Sequence, residues 1–289
     1  MKISPVSFAN KPILANSQQS LRTKFALGVD TVSFGTSDRN LPPGLVSNPF
    51  GANCTSMFRD GVHHWLNFAR LLDENFKDKD RVNVVCQACS DGSEPYTIAI
   101  SLMEALGNDA AGKFFPIEAG DIDELNIKLA KSGLINITDD EIERMARAIS
   151  PDVFEKYFEP ADEKMEIEGD NYASKTKTYR VKDILRDKVV FERKSVDEKL
   201  RELKDESNTV LLFRNAIKMY DPAYRLDLFK EFGKKLKSGS LLYMGNMDSN
   251  GSFGFSRFLS HSGLEEDLKE YGNFQNVEHK DHKGLYKKS

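Results

Sequence analysis

The chain of 289 residues is 39% hydrophobic and 30% charged, enough apolar content for one sizeable core, which excludes a wholly disordered polymer. Its 41 basic and 45 acidic residues are mixed along the chain and leave a formal net charge of −4, so no basic face for nucleic acid or an anionic membrane is expected. The 3 cysteines are an odd, sparse set for a disulfide-stapled domain, and neither a signal peptide nor an apolar run of membrane-spanning length is visible, so a reduced, cytoplasmic setting without membrane insertion is expected.

Residues 1–48 mix Ser, Asn, Gln, Pro and Gly without persistent periodicity and read as a disordered or extended tail. From Thr55 the pattern changes. "TSMFRDGVHHWLNFARLLDENF" sets Phe58, Val62, Trp65, Phe68, Leu71 and Leu72 at helical spacing, giving a helical arm over 49–80 closed by the charged "KDKDR". Strands and helices then alternate. "VNVVCQA" leads into "EPYTIAISLMEALG", with Pro95 suited to a first helical turn and Gly107 to the cap. "FFPIEAGDID" leads into "DELNIKLAKSG", stopped by Gly133. Residues 138–159 read as two short helices broken at Pro151, and the polar stretch after them as a hairpin turning near Gly169 to Asn171, a small β subdomain inserted at about 160–188. "VVFER" then precedes "VDEKLREL", "NTVLLFRNAI" precedes "PAYRLDLFKEFGKKLKSG", "SLLYMGN" adds another strand, and the C-terminal "FQNVEHKDHKGLYKKS" reads as a closing hairpin. This spacing predicts an α/β fold over 81–289, a doubly wound parallel sheet with helices on both faces.

In such sheets a ligand sits beyond the carboxyl ends of the strands. Four polar clusters fall there: Ser90 to Glu94, Asp121 to Asp123, Lys194 to Asp197, and Arg214 with Asn215. The first turn has a single glycine, Gly92, followed by Glu94, whose carboxylate at a helix N-terminus repels a pyrophosphate and attracts a cation. Asp121 and Asp123 suit hydrogen bonds from a ribose diol. A ligand with a ribose, a cationic group and no phosphate is S-adenosylmethionine. The plainer alternative is that Glu94 and Asp123 only cap their helices, with Arg214 in an ion pair. Cys86 and Cys89 form a CxxC with no second pair at ligand spacing, and the adjacent His63 and His64 point to different sides of a helix, so buried packing thiols and no metal are expected.

Six ordered motifs resemble the CheR-type chemotaxis receptor methyltransferases, from about Asn53 to the C-terminus. "NCTSMFRD" resembles N-x-T-x-F-F-R-[DE]; "ACSDGSEPYTIAI" resembles A-x-S-x-G-E-E-P-Y-S-I-A; "GDIDELNIKLAKSGL" resembles D-I-D-x-x-x-L-x-x-A-x-x-G-x-Y. "EKYF" with "YRVKDILRDKVVFERKSV" is similar to the R-Y-F element, β subdomain and following strand, "LLFRNAIKMYD" to C-R-N-x-x-x-Y-F, and "LKSGSLLYMGN" to L-x-P-G-G-x-L-x-x-G-H. The resemblance implies a Rossmann-like class I methyltransferase that uses S-adenosylmethionine, leaves S-adenosylhomocysteine and methylates glutamates of a protein substrate, a chemoreceptor cytoplasmic domain. By position it implies that Asn53, Thr55 and Arg59 reach across the cofactor, Glu94 holds the methionine portion, Asp123 the ribose, Ser195 stands on the adenine side, and Arg214 with Asn215 forms the far wall; Ser90, Gly92, Asp121 and Val196 are further cofactor-binding candidates. Arg59 and Tyr220 are the catalytic candidates. Three departures stand out. Ser195 replaces the adenine-side asparagine, Met219 takes the place of the usual tyrosine with Tyr220 one residue later, and no N-terminal helical domain is recognisable in 1–48. Three readings follow: a protein-glutamate methyltransferase, a methyltransferase for another protein or small-molecule acceptor, or a silent cofactor-binding module.

Overall fold

The computed structural model describes residues 23–27, 30–31, 55–167, 176–204, 208–245 and 261–289. In chain order its elements are β1 (Thr23–Leu27), β2 (Asp30–Thr31), α1 (Val62–Asn75), β3 (Asn83–Gln87), α2 (Ser93–Leu106), α3 (Asn108–Ala111), β4 (Ile117–Asp121), α4 (Glu124–Ser132), β5 (Leu134–Thr138), α5 (Asp139–Ala148), α6 (Val153–Tyr157), β6 (Phe158–Pro160), β7 (Lys164–Ile167), β8 (Thr176–Val181), α7 (Asp183–Arg186), β9 (Val189–Arg193), α8 (Val196–Glu202), β10 (Thr209–Leu212), α9 (Pro222–Lys235), β11 (Leu241–Tyr243), α10 (His261–Gly272), β12 (Phe274–Asn276) and β13 (Leu285–Lys288).

Seven strands form the main sheet in the order β12-β13-β11-β10-β3-β4-β9. From β11 to β9 all pairings are parallel, and the expected C-terminal hairpin β12–β13 closes the sheet antiparallel against β11. The chain begins this sheet at β3, steps outward through β4 and β9, then returns to lay β10 on the other side of β3. That reversal is the topological switch point, where a crevice opens at the carboxyl ends.

Strand alternation divides the core in two. Val84, Cys86, Val210, Leu212 and Tyr243 face a cluster with Trp65, Phe68 and Leu72 of α1 and Ile98, Leu102 and Met103 of α2. Val85, Leu211 and Leu242 face the opposite cluster, with Leu200 of α8, Phe229 and Phe232 of α9, and Leu264 and Leu268 of α10. Burial of each such side chain contributes about 1.5–3 kcal/mol. Gly107 (φ 80°) and Gly133 (φ 69°) end α2 and α4, the stops read from sequence.

Three parts depart from the sequence reading. β5, unrecognised in sequence, pairs with β8, which also pairs with β6, so the small sheet has the order β5-β8-β6. β7 pairs instead with β1, a strand within the stretch read as a tail, and no β7–β8 pairing occurs among the described residues; the turn expected near 169–171 lies outside them. α10 was also unforeseen. It packs against α9 through two glycines, since a Cβ on Gly233 would lie 2.5 Å from the Gly272 carbonyl oxygen.

Candidate functional site

At the switch point lies a cavity of about 400 Å³, within the usual range for a small-molecule site. All four polar clusters reach it. Its wall includes Thr55, Arg59, Ser90, Glu94, Asp121, Asp123, Lys194, Val196, Arg214, Asn215 and Tyr220. Asn53 lies outside the described residues.

Two sequence candidates do not line the cavity. Gly92 (φ 93°) is the turn residue before α2, and a Cβ there would lie 3.0 Å from the Phe191 ring, so it permits the turn and the packing of α2 against β9. Ser195 is committed to α8: its hydroxyl accepts from the Glu198 amide at 3.2 Å, and the Glu198 carboxylate accepts from the Ser195 amide at 2.8 Å. This is a capping box, which uses one lone pair of the hydroxyl and leaves its O–H able to donate. Asp123 does cap α4, accepting from the Leu125 amide at 2.9 Å, while still lining the cavity.

Asp121 organises both loops. One carboxylate oxygen accepts from the Ser90 amide and the other from the Asp123 amide, each at 2.9 Å, fixing the left-handed Ser90 (φ 53°) beside the start of α4. Burial pushes its pKa up, and those backbone hydrogen bonds with one from Asn126 oppose the rise.

Glu94 is not a cap. Its Oε2 accepts from Arg214 Nη1 at 2.5 Å and its Oε1 faces the Cys86 thiol at 3.4 Å. Arg214 also binds the Asp60 carboxylate, and its guanidinium lies 4.8 Å from the Trp65 ring centroid and 4.9 Å from that of Tyr243. With its side chain 2% exposed it is a buried cation held by two carboxylates and two aromatic faces. Burial works to lower its pKa, but attraction to Glu94 and Asp60 outweighs this and keeps it charged. The Glu94 carboxylate, held from behind by this cation, is thereby presented at the cavity wall.

The segment carrying Arg59 is contorted. Phe58, Asp60 and Gly61 have φ of 51°, 75° and 101°, and the two non-glycine residues each cost about 1–3 kcal/mol. Contacts hold it in place: the Phe58 amide donates to Thr97 Oγ1 at 3.0 Å, and Trp65 Nε1 donates to the Arg59 carbonyl at 2.6 Å. Cys86 and Cys89 are buried, and burial pushes both thiols well up; Cys86 packs in the core and donates to Glu94, while Cys89, beyond the end of β3, lines the cavity.

Sequence reasoning did not single out Gln87, Ile122, Asn126, Phe213 and Lys218, which also line the cavity. Asn126 had a readable signal, three residues after Asp123 on the same helix face. The Asp60–Arg214 contact had none, since 154 residues separate the partners.

S-adenosylmethionine fits this cavity. It needs room, a carboxylate for its cationic end, acceptors for a ribose and an apolar slot for adenine; the wall carries carboxylates at Glu94, Asp121 and Asp123 and apolar side chains at Ile122, Val196 and Phe213, and Asn215 Oδ1 is a buried acceptor with no partner among the described residues. The fold and pocket are those of the doubly wound S-adenosylmethionine-dependent methyltransferases. Residues 53–253 match the family described as CheR methyltransferase, SAM binding domain, and the chain belongs to that family. It is 27% identical over 202 residues to a chemotaxis protein methyltransferase of Salmonella typhimurium, covering 70% of this chain and 62% of that one, so it spans less than two thirds of that relative. It is 24% identical over 224 residues to a probable chemotaxis protein methyltransferase of Rhizobium etli, covering 71% of this chain and 75% of the other.

Proposed function

We propose that the protein transfers the methyl group of S-adenosylmethionine to a glutamate carboxylate of a protein substrate, a chemoreceptor cytoplasmic domain or a protein presenting glutamates in the same way. The observation that carries this reading is Arg59 on the wall of the cavity that Glu94 and Asp121 also line. When bound, the cofactor supplies an electrophilic methyl on a sulfonium. An ionised carboxylate is already a nucleophile, so the protein's contribution is to position and desolvate rather than to remove a proton. Arg59 would hold the acceptor carboxylate in its planar fork. Glu94 would take the amino group of the methionine portion, Asp121 and Asp123 the ribose, and Val196 the adenine. Arg214 would set the charge and orientation of Glu94 from behind.

One observation favours a second acceptor class. Met219 lines the cavity where the family has tyrosine, while the phenol of the neighbouring Tyr220 lies in the field of Asp197 and Asp121. Burial and those carboxylates push the phenol pKa up, which keeps it a neutral donor. Tyr220 then serves cofactor binding rather than the acceptor, and a smaller or less polar acceptor than glutamate meets Met219.

Transfer of radiolabelled methyl from S-adenosylmethionine into proteins of the host lysate tests both. Label on a protein band that mild base releases as methanol is expected. Base-stable label would replace the glutamate reading with the second one.

A further inference from the structure

Arg59 sits at the cavity, yet the contacts that fix its backbone lie on the far side of the segment. Asp60, the next residue, is bound to the Arg214 guanidinium. Arg214 in turn holds Glu94 at 2.5 Å and carries the ring of Trp65, whose indole N–H donates to the Arg59 carbonyl at 2.6 Å. The path from Glu94 through Arg214 to Asp60 and Trp65 therefore closes on the residue that would orient the acceptor. Because Asp60 has a left-handed φ of 75°, the segment needs an external tie to keep this shape.

We propose that Asp60 is a positioning residue that couples occupancy of the cofactor pocket to the placement of Arg59, so that cofactor binds first and completes the acceptor site. This rests on Glu94 contacting the cofactor, as argued above. Arg214 has two carboxylates to share. An ammonium group arriving at Glu94 competes with the guanidinium for that carboxylate, and because Arg214 is already bonded closely to Asp60, any shift of the guanidinium is passed to Asp60 and the 55–61 segment. The link is reciprocal: a segment fixed by acceptor at Arg59 would raise cofactor affinity by the same factor.

Hydrogen exchange on the full chain, with and without S-adenosylhomocysteine, tests this alongside calorimetry. In the unsubstituted protein, saturating ligand is expected to slow amide exchange in the peptide covering 55–65 at least about fivefold, the lower end of ordinary coupling factors. Asp60→Asn, nearly the same shape, is expected to bind the ligand by calorimetry while losing that slowing, and Asp60→Glu to restore it. A merely structural Asp60 would raise exchange in both states and leave the ratio intact. Ligand that binds without slowing exchange in the unsubstituted protein overturns the proposal, as does Asp60→Asn with an unchanged ratio. If Asp60→Asn does not fold, Asp60→Ser, which also removes the carboxylate, is read by the same ratio with the same two outcomes. Absence of calorimetric binding by the unsubstituted protein is a different failure, because it removes the cofactor reading itself.

Discussion

Replacing His282 with leucine should leave the protein about as stable at pH 7 and make it more resistant to acid. His282 is completely buried, and neither ring nitrogen has a hydrogen-bond partner among the described residues. It lies among the rings of His64, His279, Phe68 and Tyr243, with the His64 centroid at 4.5 Å. Burial, with His64 and His279 nearby, brings its pKa from 6.5 down to about 3. The unfolded chain therefore binds a proton below pH 6.5 that the folded protein refuses. Its neutral burial is tolerated above pH 6.5, and stability is lost as pH falls through the window from 6.5 to about 3. At about 1.4 kcal/mol per pH unit, the drop from 6.5 to pH 4.5 is worth at most about 3 kcal/mol; solvent relaxation around the 278–284 loop lowers this to about 2 kcal/mol. Leucine has a similar volume and no nitrogens to leave unpartnered, so its cost at pH 7 should stay within about 1.5 kcal/mol. Urea unfolding of both proteins at several pH values between 7.5 and 4.5 reads the difference directly, and common contributions such as the raised Asp121 cancel. A constant gap across that range would refute the reasoning. So would a loss above about 3 kcal/mol at pH 7, which would mean that the imidazole has a partner that leucine removes.

Arg214→Met should cost about 3–5 kcal/mol in urea unfolding, because it leaves Asp60 and Glu94 facing each other without their cation; a loss under about 1 kcal/mol would show that the two carboxylates are compensated elsewhere. Gly233→Ala should lower the thermal midpoint by forcing α9 away from Gly272, at about 1–3 kcal/mol, and an unchanged midpoint would mean the two helices separate freely. Tyr220→Phe should weaken S-adenosylhomocysteine by up to about tenfold, one hydrogen bond's worth; an unchanged dissociation constant with a fallen transfer rate would return the phenol to the acceptor end.

The sheet was legible because its strands are short apolar runs alternating with helices whose ends Gly107 and Gly133 mark, local signals that tertiary contacts did not override. β5 was not, because "LINIT" is a short apolar run directly after Gly133 whose strand state depends on pairing with β8, some forty residues on. The strand-end clusters were legible as a group, since topology alone brings them together at β3 and β10. Ser195 carries two signals at once: followed three residues later by Glu198 it is a readable capping signature, and the structure shows that cap. Glu94 was read as a charge and Arg214 as a wall. That they are one ion-paired unit with Asp60 follows only from the fold, which joins residues 120 and 154 positions apart.

The most direct test of the account is calorimetric titration of S-adenosylhomocysteine into the full-length chain and its Glu94→Gln variant. The account predicts one site per chain, with the variant at least about tenfold weaker, more than a lost helix cap of about 1 kcal/mol would give. Equal affinity in the two proteins would separate Glu94 from the ligand, and no heat from the unsubstituted chain at tens of micromolar would contradict the cofactor site itself.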